Sequence, residues 1–394
     1  MGILDGVKVL DFGSALAAPY AAMLMADLGA TVVKIEKVRR GDLIRFTDHM
    51  VRGKSGYFLG INRGKRGITL DLRTEEGQQV ARNMCRSADV LLENFRPGMM
   101  DSWGLSYEDI RAVKPDIIYC SVSAFGGTKG FESESGNDII AQAYSGLMAM
   151  TGDIDGPPAK AGTPVTDVAA SCMALISILA ALLRKQKTGE GARLRTSLLD
   201  ASYALMPNYT ASVLNGTPKF RRQGSGHPQL APYEAYTAGD GKYIVIGAFH
   251  NESWRRLCEA LGRPDLENDP RIADNTSRVK NRKELAVIIN AELARRTAAE
   301  WLEILREHDV PVAPVLEMEE SIEFFTERNP GLYTEGIPSE AGDLRMLRAP
   351  FEIDGERPCH PLGAPALGQH TDEVLLEEGY TREEIDGFRE LRII

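Results

Sequence analysis

Apolar residues in the N-terminal third of the chain recur in two alternating rhythms. VKVLDF (7–12) is a nearly unbroken apolar run of strand length, APYAAMLMADLGA (18–30) carries a helical period, and TVVKIE (31–36) returns to a strand. TEEGQQVARNMCRSA (74–88) reads as helix, DVLLENF (89–95) as strand, 106–113 as a short helix and DIIYCSVSAFG (116–126) as strand. Strand and helix alternating through short loops predict an α/β fold, a Rossmann-like, doubly wound parallel sheet with helices on both faces. Ligands on such sheets bind where the strands end, which here means GSALAAP, EKVRRGD, ENFRPG and SAFGGTKG.

The rhythm changes near residue 230. YEAYTAGDGKYIVIGAF predicts two antiparallel strands joined at Gly239-Asp240-Gly241. Helices are expected at about 251–261, 281–296 and 298–307, the last starting at Thr297 with Glu300 completing a capping box. The expected organisation is a large domain over 1–200 and 330–394, a smaller α+β domain over 226–315, and linkers at 201–225 and 316–329. VAASCMALISILAALL (168–183) is almost wholly apolar, but shorter than the roughly 20 residues that cross a bilayer core, so a buried helix is predicted there.

Composition narrows the function. A length of 394 residues suits two domains, and 43% hydrophobic with 26% charged residues is ordinary globular usage. A net charge of -10 disfavours nucleic acid as a partner, while leaving room for a small anion at a local basic cluster. Five cysteines without CxxC spacing predict reduced thiols and a cytoplasmic location. The six histidines form neither HxH nor HExxH, so no metal site is expected. The N-terminus MGILDGVKVLDFG lacks a basic stretch followed by an apolar one, and no membrane partner is expected.

The turn after the first strand, Gly13-Ser14-Ala15-Leu16-Ala17-Ala18-Pro19, holds one glycine where a dinucleotide fold needs G-x-G-x-x-G. Glu36, at the acidic position that reads a ribose in dehydrogenases, is followed by Lys37, Arg39 and Arg40, which suit phosphate better. A second basic group, Arg63, Lys65, Arg66 and Arg73, lies in NRGKRGITLDLR (62–73). Two such groups beside neighbouring strand ends point to a polyphosphate ligand. Asp167 ends GTPVTD just before the apolar helix, where it is either an N-cap or a reactive carboxylate. Trp103, Trp254 and Trp301 are expected in cores or domain contacts.

The motifs in their order resemble the class III (CaiB/BaiF-type) coenzyme A transferases. They are LDGVKVLDFGSALAAPYAAMLMADLGATVVKIE, GDLIR, NRGKRGITLDL, ENFRPG, DIIAQAYSGLMAMTG, PPAKAGTPVTD, QKTGEGARLRTSLLDA and LGQHTDEVLLEEGY, nearly end to end. The resemblance implies a Rossmann-like large domain plus a smaller one in an interlocked homodimer. It implies no permanently bound cofactor, with acyl-CoA and a carboxylate as the small-molecule substrates. Asp167 becomes the catalytic residue, passing CoA to a carboxylic acid, small and with dicarboxylates among the candidates, through an aspartyl anhydride and an aspartyl-CoA thioester. Amides at the start of the 168–184 helix would steady the oxyanions, and the same helix end would keep Asp167 ionised.

CoA contacts carried over by position are Ala15, Leu16, Lys37, Leu70, Arg73, Asn94, Phe95 and Met99. Ser102 stands where the formyl-CoA transferases have a CoA-binding arginine, so that phosphate partner is either lost or replaced by Arg39 or Arg40. Asp138, Gln142 and His227 are expected at the substrate pocket. Leu16 replaces a glutamine of the formyl-CoA transferases, and GSGHPQLAPY departs from their glycine-rich loop. The family's α-methylacyl-CoA racemases use a His in GHD; this chain reads Gly136-Asn137-Asp138, which makes racemase the alternative, alongside a non-catalytic CoA-binding protein.

Overall fold

The computed structural model describes residues 2–47, 49–132, 134–216 and 220–394. It divides into two compact units, one of Met1–Ser145, Ala161–Ala211 and Asn329–Ile394, the other of Gly146–Lys160 and Ser212–Arg328. Residues 146–160 therefore cluster with the second unit. Of the expected 201–225 linker, residues 217–219 lie outside the described residues, and Pro207–Leu214 is helical. The expected 316–329 linker carries the helix Met318–Arg328.

The first unit is built on strands β1 (Lys8–Asp11), β2 (Thr31–Glu36), β3 (Lys65–Thr69), β4 (Val90–Glu93), β5 (Ile118–Ser123) and β6 (Ala192–Ser197). They form one six-stranded sheet in the order β3-β2-β1-β4-β5-β6, every pair parallel. Adjacent residues of a strand feed opposite faces. Val9, Val32 and Val90 enter the core against helices α1 (Ala17–Asp27) and α4 (Val165–Thr188). Leu10, Val33 and Leu91 enter a second core under α2 (Glu75–Cys85) and the C-terminal residues Val374, Leu375 and Ile385. Burial on both faces explains why β1, β2, β4 and β5 read as apolar runs, whereas the edge strands β3 (KRGIT) and β6 (ARLRTS) carry no such run and were not expected from the sequence.

Helix α4 is 24 residues long, longer than the apolar stretch predicts and long and apolar enough by composition to span a bilayer. Its buried face of Ala169, Ala170, Ala174, Leu175, Ile178, Ala181 and Leu182 is part of the first core instead. The small residues let it lie close to α1, and Ser171 Oγ is 2.7 Å from the carbonyl oxygen of Ala17. Helix α3 (Asp138–Tyr144) also packs near its start.

In the second unit β7 (Tyr233–Thr237) and β8 (Tyr243–Gly247) pair antiparallel with Thr237 opposite Tyr243, and Gly241 takes the positive φ of 79° the turn requires. A third strand, β9 (Val312–Pro314), adds to β8 and was not legible as a separate element. Helices α5 (Asn251–Ala260), α6 (Arg282–Leu293) and α7 (Ala298–Glu307) bury Trp254, Leu257, Ile289, Trp301 and Leu305 against this sheet. Thr297 and Glu300 form the expected capping box.

The second basic group of the sequence is structural. Arg63 is buried against the Asp27 carboxylate, with Nε 3.0 Å from Oδ1, and Asp27 also accepts the His360 N–H. Lys65 is buried on Asp11 at 2.8 Å, Arg66 pairs with Glu373 and Glu377, and Arg73 grips Asp71 through two bonds. Arg66 ties β3 to the C-terminal segment, Asp27 links Arg63 to His360, and Lys65 and Arg73 are met by Asp11 and Asp71, so each of the four cations already has a carboxylate. Breaking one buried pair strands the other charge. Arg63→Leu is therefore expected to destabilise the first unit by about 3 kcal/mol, seen as a lower urea midpoint by circular dichroism; an unchanged midpoint would show that the pair is not holding this fold.

Candidate active site

Asp167 lies in the first turn of α4, but it is not the cap. The helix starts at Val165, after Pro164, three residues before the predicted start. The capping group comes from another segment: Asp138 Oδ1 accepts the Thr166 N–H at 2.9 Å and the Thr166 hydroxyl at 2.7 Å. Its other oxygen accepts Gln142 Nε2 at 2.6 Å, and Gln142 Oε1 accepts the Ala161 N–H at 2.9 Å. One chain of bonds thus ties α3 to the loop 161–164 and to the helix start. Asp138, Gln142 and Thr166 are all buried. Local pattern could not reveal this cap, because donor and acceptor are 28 positions apart.

The same arrangement uses up most of the helix-end amides. The Val165 N–H goes to the Thr163 carbonyl at 2.8 Å, that of Thr166 to Asp138, and that of Val168 to the Pro164 carbonyl at 3.1 Å. The Asp167 N–H has no partner among the described residues, so one amide, not several, remains beside the carboxylate. The expectation that the helix end keeps Asp167 fully ionised is corrected by its surroundings. Burial, with a smaller push from the Asp138 charge, raises the Asp167 carboxyl to about 7. No cation among the described residues offsets it.

The predicted CoA contacts fall into two groups. Lys37, Arg39, Leu70, Arg73 and Phe95 line one cleft of about 470 Å³, together with Arg40, Phe12 and Trp103. Lys37, Arg39 and Arg40 are exposed and make no ion pair among the described residues, whereas Arg73 is held by Asp71. Trp103 packs edge-on to Phe95, with centroids 5.1 Å apart, and faces the cleft rather than lying sealed in a core. Trp254 and Trp301 are core residues. Asn94 and Phe95 border a second depression of about 300 Å³ with Arg96, Ser123, Gly136 and Asn137, directly before Asp138. Phe95 borders both depressions.

Ala15 is exposed at the tip of the first turn, while Leu16 is 5% exposed and belongs to the core. Asn94 uses its amide in both directions on the turn, accepting the Ser14 N–H and donating to the Ser14 carbonyl, each at 2.8 Å. Met99 is 38% exposed at the start of the short helix Met99–Ser102, and Ser102 Oγ donates back to the Met99 carbonyl at 2.7 Å. Glu36 accepts Arg45 through Nε at 2.8 Å and Nη2 at 2.6 Å, so it is not free for a ribose. Asn137 Oδ1 caps α3 by accepting the Ile140 N–H at 3.4 Å. His227 belongs to the second unit, where its Nδ1 accepts the Gln229 N–H at 3.2 Å and Arg282 bonds its carbonyl.

Comparison with known proteins is consistent along the whole chain. The profile of CoA-transferase family III matches residues 4–371. A succinyl-CoA:glutarate CoA-transferase of Mus musculus is 34% identical over 95% of this chain and 86% of its own length. A succinyl-CoA:mesaconate CoA-transferase of Haloarcula hispanica is 37% identical over 96% of this chain and 97% of its own. Among solved structures, a CaiB/BaiF family protein from Brucella suis superposes with a TM-score of 0.86 at 31% identity, covering 96% of this chain and 99% of that one.

A raised carboxyl in the folded state has a consequence for stability. Between the ordinary aspartate range and about 7 the folded chain keeps a proton that the unfolded chain releases, so Asp167 erodes stability as pH climbs through that window and no further above it. Asp167→Asn is expected to raise stability at pH 8 by on the order of 2 kcal/mol, seen as a higher melting temperature, and to change little at pH 4. Thermal melts at the two pH values read this directly, and equal shifts at both would contradict the buried, proton-retaining carboxyl.

Proposed function

The chain belongs to CoA-transferase family III and is a class III CoA-transferase; from that premise we propose that it moves CoA between dicarboxylic acids by a covalent relay through Asp167. The observation that carries the relay is a half-buried carboxylate in the first turn of α4, paired with no cation among the described residues and next to one unused amide. The dicarboxylate class rests on the substrates in the names of the relatives, succinyl-CoA with glutarate or mesaconate.

In the relay, an Asp167 oxygen attacks the donor thioester carbonyl, and the carbon–sulfur bond breaks to release CoA thiolate and leave an aspartyl mixed anhydride. The thiolate attacks the aspartyl carbonyl, the donor leaves as its carboxylate, and an aspartyl-CoA thioester forms. An acceptor carboxylate then attacks that thioester, giving a second anhydride and thiolate. Attack of the thiolate on the acceptor carbonyl yields the new acyl-CoA and restores Asp167. No ATP is consumed, because each bond broken is replaced by one of similar free energy. The Asp167 N–H supports the oxyanion at the aspartyl carbonyl. Lys37, Arg39 and Arg40 serve the CoA phosphates, and Phe95 and Trp103 the flat adenine. Asn137, engaged as a cap and unable to act as a base at neutral pH, disfavours racemase chemistry.

We place the enzyme in the cytoplasm, where five free cysteines, three of them buried, stay reduced. We also propose a homodimer, interlocked as the family resemblance implies. Its support is an exposed apolar stripe on α4, Met173 at 37%, Ile176 at 57% and Leu183 at 61%, on the side opposite the core face.

Succinyl-CoA incubated without acceptor and then treated with hydroxylamine is expected to leave a hydroxamate on Asp167, found by peptide mass spectrometry. Asp167→Asn should lower transfer to glutarate or mesaconate by roughly a thousandfold or more, and the acid limb of the wild-type pH profile should fall away below about 7. Absence of the hydroxamate with exchange of an α-deuterium would make the protein a racemase; absence of both would make it a CoA-binding protein. Ile176→Glu is expected to shift the dimer to monomer in sedimentation velocity, and an unaltered sedimentation coefficient would remove α4 from the interface.

A further inference from the structure

The motif GDLIR (41–45) follows β2, and neither the relay nor the cleft uses it. Its Asp42 is 5% exposed and lies under the first turn. Asp42 Oδ1 accepts the Ser14 hydroxyl at 2.9 Å, the Ala15 N–H at 3.2 Å and the Ile44 N–H at 3.2 Å. Its Oδ2 accepts Lys34 Nζ at 3.1 Å and shares the Ala15 N–H at 3.2 Å. Lys34, fully buried, also donates to the Gly13 carbonyl at 2.8 Å. Consecutive residues 13, 14 and 15 are thus each held from below by Asp42 or by the lysine paired with it.

Ala15 has φ of 60°, a left-handed conformation that an alanine adopts at a cost of about 1–2 kcal/mol. Something must hold it there, and the bonds from Asp42 to the Ala15 N–H and the Ser14 side chain are the contacts that do so. The turn in turn carries Asn94 through its two bonds to Ser14, and the adjoining Phe95 forms a wall of both depressions. Arg45 completes the device by occupying Glu36, whose Oε1 also accepts the Asp42 N–H at 2.8 Å. Glu36 lines the cleft, and this pairing offsets its charge there.

We propose that Asp42 is a positioning residue for acyl-CoA: it clamps the strained Ser14–Ala15 turn and, through Asn94, sets the Phe95 wall of the cleft. The inference rests on the CoA-transferase reading for its ligand, but the clamp itself is a property of the apo chain. Hydrogen exchange and CoA binding separate the two. Asp42→Asn keeps the shape and removes the charge; it is expected to speed amide exchange in the peptide spanning 13–17 and to weaken free CoA binding by about tenfold in calorimetry. Ala15→Gly, which takes positive φ without penalty, should restore at least about threefold of that affinity in the Asp42→Asn background, with Ala15→Gly alone measured as the reference for its own effect on CoA contact.

A merely structural role for Asp42 would leave the added glycine without effect on CoA affinity, and that result overturns the proposal. Unchanged exchange at 13–17 in folded Asp42→Asn overturns it as well. If the wild type binds no CoA, the CoA-transferase reading fails, and the exchange experiment alone decides whether Asp42 clamps the turn. Should Asp42→Asn fail to fold, Ser14→Ala removes one of its donors and carries the same expectation at smaller size: faster exchange at 13–17 supports the clamp, and wild-type exchange refutes it.

Discussion

The carboxylate of Asp138 decides where Asp167 stands. By accepting the backbone and side chain of Thr166 it starts α4 at Val165, and by accepting Gln142 it fixes that start to α3 and to Ala161. A helix that began at Val168, as the local pattern suggests, would place Asp167 at the cap with its oxygens bonded to its own helix. Started three residues earlier, the helix carries Asp167 inside its first turn with its side chain free. The capping work is delegated to one acid so that its neighbour can react. The same acid sits close enough to add to the rise in the Asp167 carboxyl.

A comparable division of labour underlies the turn after β1. In dinucleotide folds three glycines let the backbone approach the pyrophosphate. Here only Gly13 is required: a Cβ there would lie 2.7 Å from Ala18 Cβ and 2.8 Å from Asp11 Oδ1. The rest of the turn is shaped by buried charge. Burial alone would discharge Lys34, yet Asp11, Asp42 and Glu36 around it raise it above its ordinary value. Burial likewise opposes the charge of Asp42, but Lys34 and the bonds from Ala15 and Ser14 hold its carboxyl below the usual range. Lys65, with Asp11 as its ion-pair partner, is pushed by burial down to about 8. Opposite charges that each need the other make the turn specific, because losing any member strands its partner.

The four inner strands were legible because they are buried on both faces, so VKVLDF, TVVKIE and DVLLENF needed no partner to be recognised, while the edge strands KRGIT and ARLRTS were missed because they carry no apolar run. The hairpin at Gly239-Asp240-Gly241 and the Thr297–Glu300 box were legible because their chemistry is local. What sequence reasoning missed is bonded at long range. Asp138 caps a helix 28 positions away, Arg63 finds Asp27 across 36, and Arg66 finds Glu377 across 311. A basic run and a ligand-binding cluster look alike until their partners are known. The two runs here part company on that ground alone: each cation of 62–73 is met by a carboxylate, whereas Lys37, Arg39 and Arg40 line the cleft with no ion pair of their own among the described residues. Strand β9 escaped notice because three residues carry too little pattern.

A carboxyl raised to about 7 looks at first like a poor choice for a nucleophile that must be ionised. On the proposed relay it favours the attacking step, because the anion it forms is more basic and hence more nucleophilic than an ordinary carboxylate. In either mixed anhydride of that relay the more basic Asp167 is the poorer leaving group, so its raised carboxyl favours thiolate attack on the aspartyl carbonyl and build-up of the enzyme thioester. The closing step, in which thiolate attacks the acceptor carbonyl and Asp167 departs, runs against that preference, so burial that speeds the first half of the relay makes the last step the demanding one.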